Sequence, residues 1–392
     1  MSVMLFSISR MSAGFVALLV GYASSAAIIL QAAEGAGASE EEIISWFWAL
    51  GIGMGATCIG LSLRYKDPIV TAWSTPGAAL LATSLSGLSL SESIGAFLFS
   101  SCLIFLTGVT GIFDRLMRIV PAPIAAAMLG GILLKFGLDI FVALKNQTLL
   151  VGIMLVVFTI VRPLSAKYVV PITLLIAFIV AYFLGQTHLE NVSWEISKPV
   201  FIFPDFNLTS LIGVGIPLYV VTMTSQNMPG FAIMRANGFH TPASPIITWT
   251  GLTGILLAPL GGFAFNLAAI TAAICMSEDA DSNPKTRYWV AVWAGIFYLL
   301  AGVFAATVVT LLTSLPNELI ITVAGLALLG AIANSLVSSL TETSTRDAAI
   351  ITFLVSASGI QILGVASAFW GLVFGGVYLS VTRFVQSQKG TD

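Results

Sequence analysis

Fourteen apolar runs, joined by short connections that carry almost all of the charge, leave this chain few ways to fold. A membrane-crossing helix needs about 20 mostly apolar residues. Runs of that kind lie at 11–33, 43–63, 68–86, 92–113, 121–137, 147–162 and 168–185. After a polar stretch at 186–208 they resume at 209–230, 243–258, 261–277, 288–312, 318–338, 346–359 and 361–384. Only 9% of the residues are charged, whereas a soluble domain carries about 25%. The expected class is an all-α polytopic membrane protein with 14 transmembrane segments. Arg10, an apolar run and the small residues Ala23–Ala27 imitate a cleaved signal peptide. The run continues to Ala33, however, and so reads as the first membrane helix. Cys58, Cys102 and Cys275 all sit in apolar runs and read as small packing residues rather than a disulfide framework.

Charge placement sets the orientation. With both termini cytoplasmic, 13 of the 16 basic residues fall on inner connections, leaving Lys135, Lys145 and Lys198 outside. That is the bias the positive-inside rule demands. Trp46 and Trp48 at an outer boundary, and Tyr65, Tyr168, Tyr288 and Trp289 at inner ones, read as interfacial anchors. Seven spans precede 186–208 and seven follow it. Because seven is odd, the second half enters upside down, giving a 7+7 inverted repeat.

Two runs are not clean helices. TAWSTPGAALLAT (71–83) is interrupted by Pro76-Gly77, since proline lacks an N–H and clashes with the preceding turn. GGFAFNLAAITAAIC (261–275) is interrupted by Gly261-Gly262 and Asn266. Each reads as a short extended strand followed by a half-helix that starts at membrane depth, in segments 3 and 10. Opposite insertion brings the two N-termini face to face. Their free N–H groups and macrodipoles attract an anion without lysine or arginine. The plain alternative is a pair of kinked helices packed by their neighbours; matching positions in two halves favour a binding site.

Polar residues inside the runs suggest the rest of that site. Tyr22, Ser24 and Ser25 lie in the first run, and Asn334-Ser335 end the twelfth. Thr224, Ser225, Gln226 and Asn227 precede Pro229-Gly230 in the eighth. The serines read chiefly as helix-packing residues. Adjacent amides in hydrocarbon need partners or a wet wall, so Gln226-Asn227 reads as site-lining. Trp73, with Ser74 and Thr75, stands at the first break, and Phe263 and Phe265 beside Asn266 at the second. A ring-lined, anion-attracting hollow suits an aromatic carboxylate. The expected substrate-binding set is thus Tyr22, Ser24, Ser25, Trp73, Ser74, Thr75, Gln226, Asn227, Phe265, Asn266 and Asn334.

No Asp, Glu, Lys, Arg or His falls at mid-span on these boundaries. His188 and His240 fall in loops, Lys135 is expected to snorkel outward, and Glu278, Asp279 and Asp281 to form a solvated run. A proton relay inside the membrane therefore has no evident side chain. The chain shows no nucleophile–base pair, metal cluster or phosphate-cradling loop, so no enzyme activity, metal, cofactor or nucleic-acid partner is expected.

Three stretches, WSTPGAALLAT, TMTSQNMPGFA and GGFAFNLAAITAAICM with the following SEDAD, resemble the benzoate/proton symporter (BenE) family. The resemblance covers essentially the whole chain. It implies uptake of benzoate or a related aromatic acid across the bacterial inner membrane, with a proton as coupling ion. It also implies the fold of the uracil permease UraA, with a core domain at 1–119 and 209–312 moving against a gate domain at 120–185 and 313–392. The 186–208 loop would lie outside the cytoplasm. A homodimer is left open. Nucleobase carriers of that fold have glutamates at the positions matching Gln226 and Phe265, while Asn266 is kept. Losing two carboxylates suits an anionic ring, which they would repel at low dielectric. The alternatives are a nucleobase carrier and a sulfate-type anion exchanger. The second is disfavoured because only Gln386 to Asp392 follow the last span. From other classes, a passive anion channel or a membrane enzyme stays open.

Overall fold

Backbone amides in hydrocarbon must find their partners inside the protein, and helices do this within one segment. A computed structural model of the chain describes residues 7–116, 121–166, 168–187, 189–192 and 194–389. Arg118, Lys167 and His188 of the expected connections lie outside the described residues. The first half comprises α1 (Ile8–Gly35), α2 (Glu40–Tyr65), strand β1 (Thr71–Ala72), α3 (Thr75–Ser84), α4 (Leu90–Thr110), α5 (Ala122–Asn146), α6 (Thr148–Leu164) and α7 (Val169–Phe183). The second comprises α8 (Leu208–Ala236), α9 (Ala243–Leu257), strand β2 (Asn266–Leu267), α10 (Ile270–Met276), α11 (Tyr288–Val303), α12 (Ala305–Thr313), α13 (Asn317–Leu340), α14 (Arg346–Ala357) and α15 (Ser367–Lys389). Among the described residues, 9 helices are long and apolar enough to cross a membrane.

Several boundaries differ from the sequence reading, three of them for a visible reason. Helix α5 runs to Asn146, past the expected end at 137, because the apolar run resumes after Lys135 through Leu138 and Ile140–Leu144. Lys135 and Asp139 therefore sit within a helix. The 288–312 run divides at Phe304. There Ser197 donates its N–H to the Val303 carbonyl (2.9 Å), and its Oγ accepts from the Ala306 N–H (2.7 Å); such insertion breaks a helix locally. Helix α8 does not stop at Pro229. It widens into π turns at Leu211–Gly215 and Met223–Asn227, each followed within two residues by a proline. The wider turn accommodates the missing N–H and the clash with the preceding carbonyl.

The helices pack as two groups. In one, α2 lies on α11, α4 on α9, and α1 on α3, α10 and α11; in the other, α5 lies on α13 and α14, α14 on α15, and α6 on α7. An extended strap, residues 194–207, crosses helix ends of the first group. Val200 N–H donates to Ser45 Oγ (2.9 Å), Ile202 N–H to the Pro259 carbonyl (2.7 Å) and Asp205 N–H to the Ser91 carbonyl (2.9 Å). These are ends that the sequence reading puts on one side of the membrane. On the side expected to be opposite, Ser9 donates to the Asp279 carbonyl, and Arg10 donates to Asp281 and Thr286.

The α2–α11 contact depends on missing side chains. A Cβ on Gly51 would meet Gly302 Cα at 2.6 Å, and one on Gly55 would meet the Gly295 carbonyl at 2.7 Å. Small residues at helical spacing let backbones approach in this way. Gly60, exposed on the same helix, has nothing within 4 Å. Gly51→Val should therefore cost about 1–3 kcal/mol by overpacking and lower the thermal unfolding midpoint in detergent by several degrees. Gly60→Ala should leave that midpoint unchanged or raise it. Equal behaviour of the two variants would mean that the close approach does not limit stability.

Candidate functional site

The two interrupted segments meet at their strands. β1 and β2 pair antiparallel, Thr71 opposite Leu267 and Ala72 opposite Asn266. Two residues per strand cannot satisfy the irregular backbone around them, and neighbouring groups supply the remainder. Ala268 N–H reaches the Val70 carbonyl (2.9 Å), and Ile69 N–H reaches Ser62 Oγ (3.1 Å). Thr71 N–H reaches Cys58 Sγ (3.1 Å), Trp73 N–H reaches Met54 Sδ (3.2 Å), and Leu267 N–H reaches Asn227 Oδ1 (2.9 Å). Cys58 is thus more than a packing residue. Leaving such groups unpaired in hydrocarbon would cost several kcal/mol each.

Beyond the strands, α3 and α10 begin at the wall of a cavity of about 700 Å³. One side of the wall comes from α1, both breaks, α8 and Tyr298 of α11. The other comes from Ala122, Ala125, Ala126 and Leu129 of α5 and from residues 327–338 of α13. The cavity therefore lies in the seam between the two helix groups. No lining residue is charged.

Of the expected site residues, Ser24, Ser25, Trp73, Thr75, Gln226 and Asn334 line this cavity. Trp73 is held in orientation: its indole N–H donates to Ser25 Oγ (2.7 Å), which donates to the Gly21 carbonyl (2.7 Å). The amides of Gln226 and Asn334 make no hydrogen bond to the protein among the described residues and are free for a ligand. The π turn displays Thr224, Ser225 and Gln226 toward the cavity in succession.

The other expected residues do not line it. Ser74 is the cap of α3, its Oγ accepting from the Gly77 N–H (2.9 Å). Asn227 is fully buried and braces β2, its Nδ2 donating to Met223 Sδ (3.2 Å). Asn266 donates to the Ala264 carbonyl (2.9 Å), while its Oδ1 is buried without a partner among the described residues. Phe265 fills a slot where Gly53 of α2 and Gly254 of α9 lack side chains. Tyr22 packs edge-on to Trp73, ring centroids 4.7 Å apart, and so supports the ring from behind. Sequence reasoning missed Tyr298 and Thr271, both on the wall. A tyrosine inside the apolar run of α11 was the available signal, because a buried phenol needs a polar neighbour. The alanines of α5 carry no chemical signal.

Below α10, Glu278 and Asp279 of the acidic run are exposed as expected, but Asp281 forms a latch. Asp281 is 8% exposed and pairs with Arg10 (Nε–Oδ2 2.7 Å), which also donates to Thr286 Oγ1 (3.0 Å). Arg287 donates to the Asp281 carbonyl (2.7 Å) and to the Met276 carbonyl (2.9 Å) at the end of α10, where a cation complements the helix dipole. Burial alone would raise the Asp281 pKa. The hydrogen bonds from Thr286 and the Asn283 N–H, with the Arg10 charge, outweigh it and hold the carboxyl below its ordinary range. A lowered folded pKa contributes stability that is present above the unfolded value of about 3.9 and lost as pH falls through the folded value. The unfolding midpoint of the wild type should accordingly fall more steeply below about pH 4 than that of Asp281→Asn. Parallel curves would mean that the latch adds no pH-dependent stability.

The chain matches the benzoate membrane transport protein (BenE) family over residues 4–381. It is 46% identical over 387 residues to inner membrane protein YdcO of Escherichia coli, covering 98% of this chain and 99% of that one. It is 42% identical over 370 residues to the benzoate membrane transport protein of Acinetobacter baylyi, covering 94% of each. Among solved structures it resembles SLC26A9, with a TM-score of 0.64 at 13% identity over 97% of this chain and 65% of that one. It also resembles the transmembrane domain of the cyanobacterial bicarbonate transporter BicA, with a TM-score of 0.58 at 11% identity over 96% of each. At that identity the likeness is one of fold. With that family match over residues 4–381 and two relatives more than 40% identical along nearly their whole length, the chain belongs to the benzoate membrane transport protein family, whose members are transporters rather than enzymes.

Proposed function

We propose that this chain is a secondary active transporter that imports benzoate or a related aromatic carboxylate, with a proton, across the inner membrane. The observation that carries the reading is the uncharged cavity at the seam, walled by the Trp73 ring and by the starts of both half-helices. A planar ring would pack on Trp73. The carboxylate would take hydrogen bonds from Gln226, Asn334 and the hydroxyls of Thr75 and Ser225, together with N–H groups at the start of α10. At the start of α3, Pro76 has no N–H and those of Gly77 and Ala78 are taken by Ser74. Neutral donors bind a carboxylate without a buried countercharge to desolvate. The absence of a lining carboxylate among the described residues favours an anion over a nucleobase.

The mechanism proposed is alternating access, with the group containing α1–α4 and α8–α12 as core and the α5–α7 and α13–α15 group as gate. Fourteen segments in two inverted sevens, both termini cytoplasmic, agree with the helix order and with the strap and latch joining ends expected on opposite faces. Asp281 is a poor proton carrier in this scheme. Its pairing keeps it ionised, and release from the latch would return it only to about 3.9. The coupling proton would therefore need a carrier other than Asp281.

Purified protein in liposomes, given an inward proton gradient, should accumulate labelled benzoate and lose it when the gradient collapses. Uracil or sulfate uptake without benzoate uptake would reject the assignment. A hydrogen bond to a charged group is worth about 1.5–3 kcal/mol, so Gln226→Ala should raise the half-saturating benzoate concentration by about tenfold or more. Asn227→Ala should instead reduce thermal stability, since it strands the Leu267 N–H. The reverse pattern would exchange the roles of the two amides.

A further inference from the structure

The cavity wall is uncharged, yet one cation stands directly behind it. Arg162 lies in the last turn of α6. A basic side chain at a helix end commonly snorkels toward water. This one is exposed, and its guanidinium carbon lies 5.3 Å from the ring centroid of Phe158, one turn earlier. That direction follows the tilt of Cα–Cβ bonds toward a helix N-terminus. It brings the charge against α13. Gly330 of α13 lines the cavity, and a Cβ placed on it would meet Arg162 Nη2 at 3.7 Å with no other neighbour within 4 Å. Arg162 does not itself line the cavity; it stands on the side of Gly330 where a side chain would be.

The charge also lacks an acidic partner. Among the described residues no carboxylate pairs with Arg162, whereas Arg10 is bound to Asp281 and Arg287 is bonded to two carbonyls. Its recorded neighbour is the face of an aromatic ring, which leaves the guanidinium's hydrogen-bonding edge open.

We infer that Arg162 is the charged element of the substrate path, placing a positive field behind Gly330 at the cavity rim. The inference rests on the carboxylate reading given above. An anion entering or leaving past α13 meets this field before, or after, the neutral donors of the cavity hold it. A neutral ring of the same size gains nothing there. Placed at the rim rather than in the wall, the cation raises local anion concentration without forming the desolvated ion pair that would slow release.

The test has two arms. In the first, Gly330→Cys is reacted in vesicles with an anionic and a cationic methanethiosulfonate reagent, the chain lacking that substitution giving the background from the native cysteines. Ala331→Cys, at the next lining position, serves if Gly330→Cys does not insert. The anionic reagent should react faster. Arg162→Gln should lower the anionic-to-cationic rate ratio by about tenfold, as expected for losing a unit charge a few ångströms away, and Arg162→Lys should keep most of it. A ratio untouched by Arg162→Gln overturns the inference.

In the second arm, benzoate transport is measured in vesicles of both orientations. Arg162→Gln should raise the half-saturating concentration severalfold on one face only. The effect should shrink at high salt, where exposed charges are screened, and the maximal rate should be retained. An equal loss on both faces, or a fall in maximal rate alone, marks a structural role and overturns the inference. The thiol arm does not depend on what is carried. A ratio that falls in a protein that does not move benzoate keeps the Arg162 field and sinks the substrate assignment.

Discussion

Extended backbone inside a bilayer has no water to bond with, and the short β1–β2 ladder answers that constraint. Residues 69–73 and 266–268 carry peptide groups that no helix can satisfy. Four of their N–H groups find side-chain atoms of Ser62, Cys58, Met54 and Asn227, and a fifth finds the Val70 carbonyl. Once these groups are paired, two helices are free to begin within the protein rather than at its surface. The cavity sits where they begin.

The same constraint explains the different fates of two adjacent amides. Gln226 and Asn227 both lie in a π turn. Asn227 turns inward to hold Leu267, while Gln226 faces the cavity with its amide unbound among the described residues. One amide completes the fold and the other is left for chemistry. Trp73 combines both roles: its backbone N–H is bonded to Met54 and its indole N–H to Ser25, and the ring they fix forms part of the wall.

Much of the architecture was legible in the residues, because apolar run length is a strong signal and Pro76-Gly77 and Gly261-Gly262 mark their breaks plainly. Side-chain direction was not legible. From the sequence alone, Phe265 and Asn266 looked as exposed to the cavity as Trp73. Which way each points depends on a slot created by Gly53 and Gly254, on helices more than ten residues away in sequence. Asp281 misled for a related reason. An acidic run near a helix end is ordinarily solvated, and its partner Arg10 lies 271 residues away. The cut at Phe304 likewise depended on a neighbour, Ser197, that local propensity does not register.

The strap has a mechanical consequence. It is sewn to α2, α4, the turn after α9 and the α11–α12 junction, so four helix tips separated in the chain form one rigid raft. Phe201, Phe203 and Phe206 project from its outer side, 57%, 78% and 58% exposed. A binder gripping those rings would hold the whole raft at once rather than a single helix.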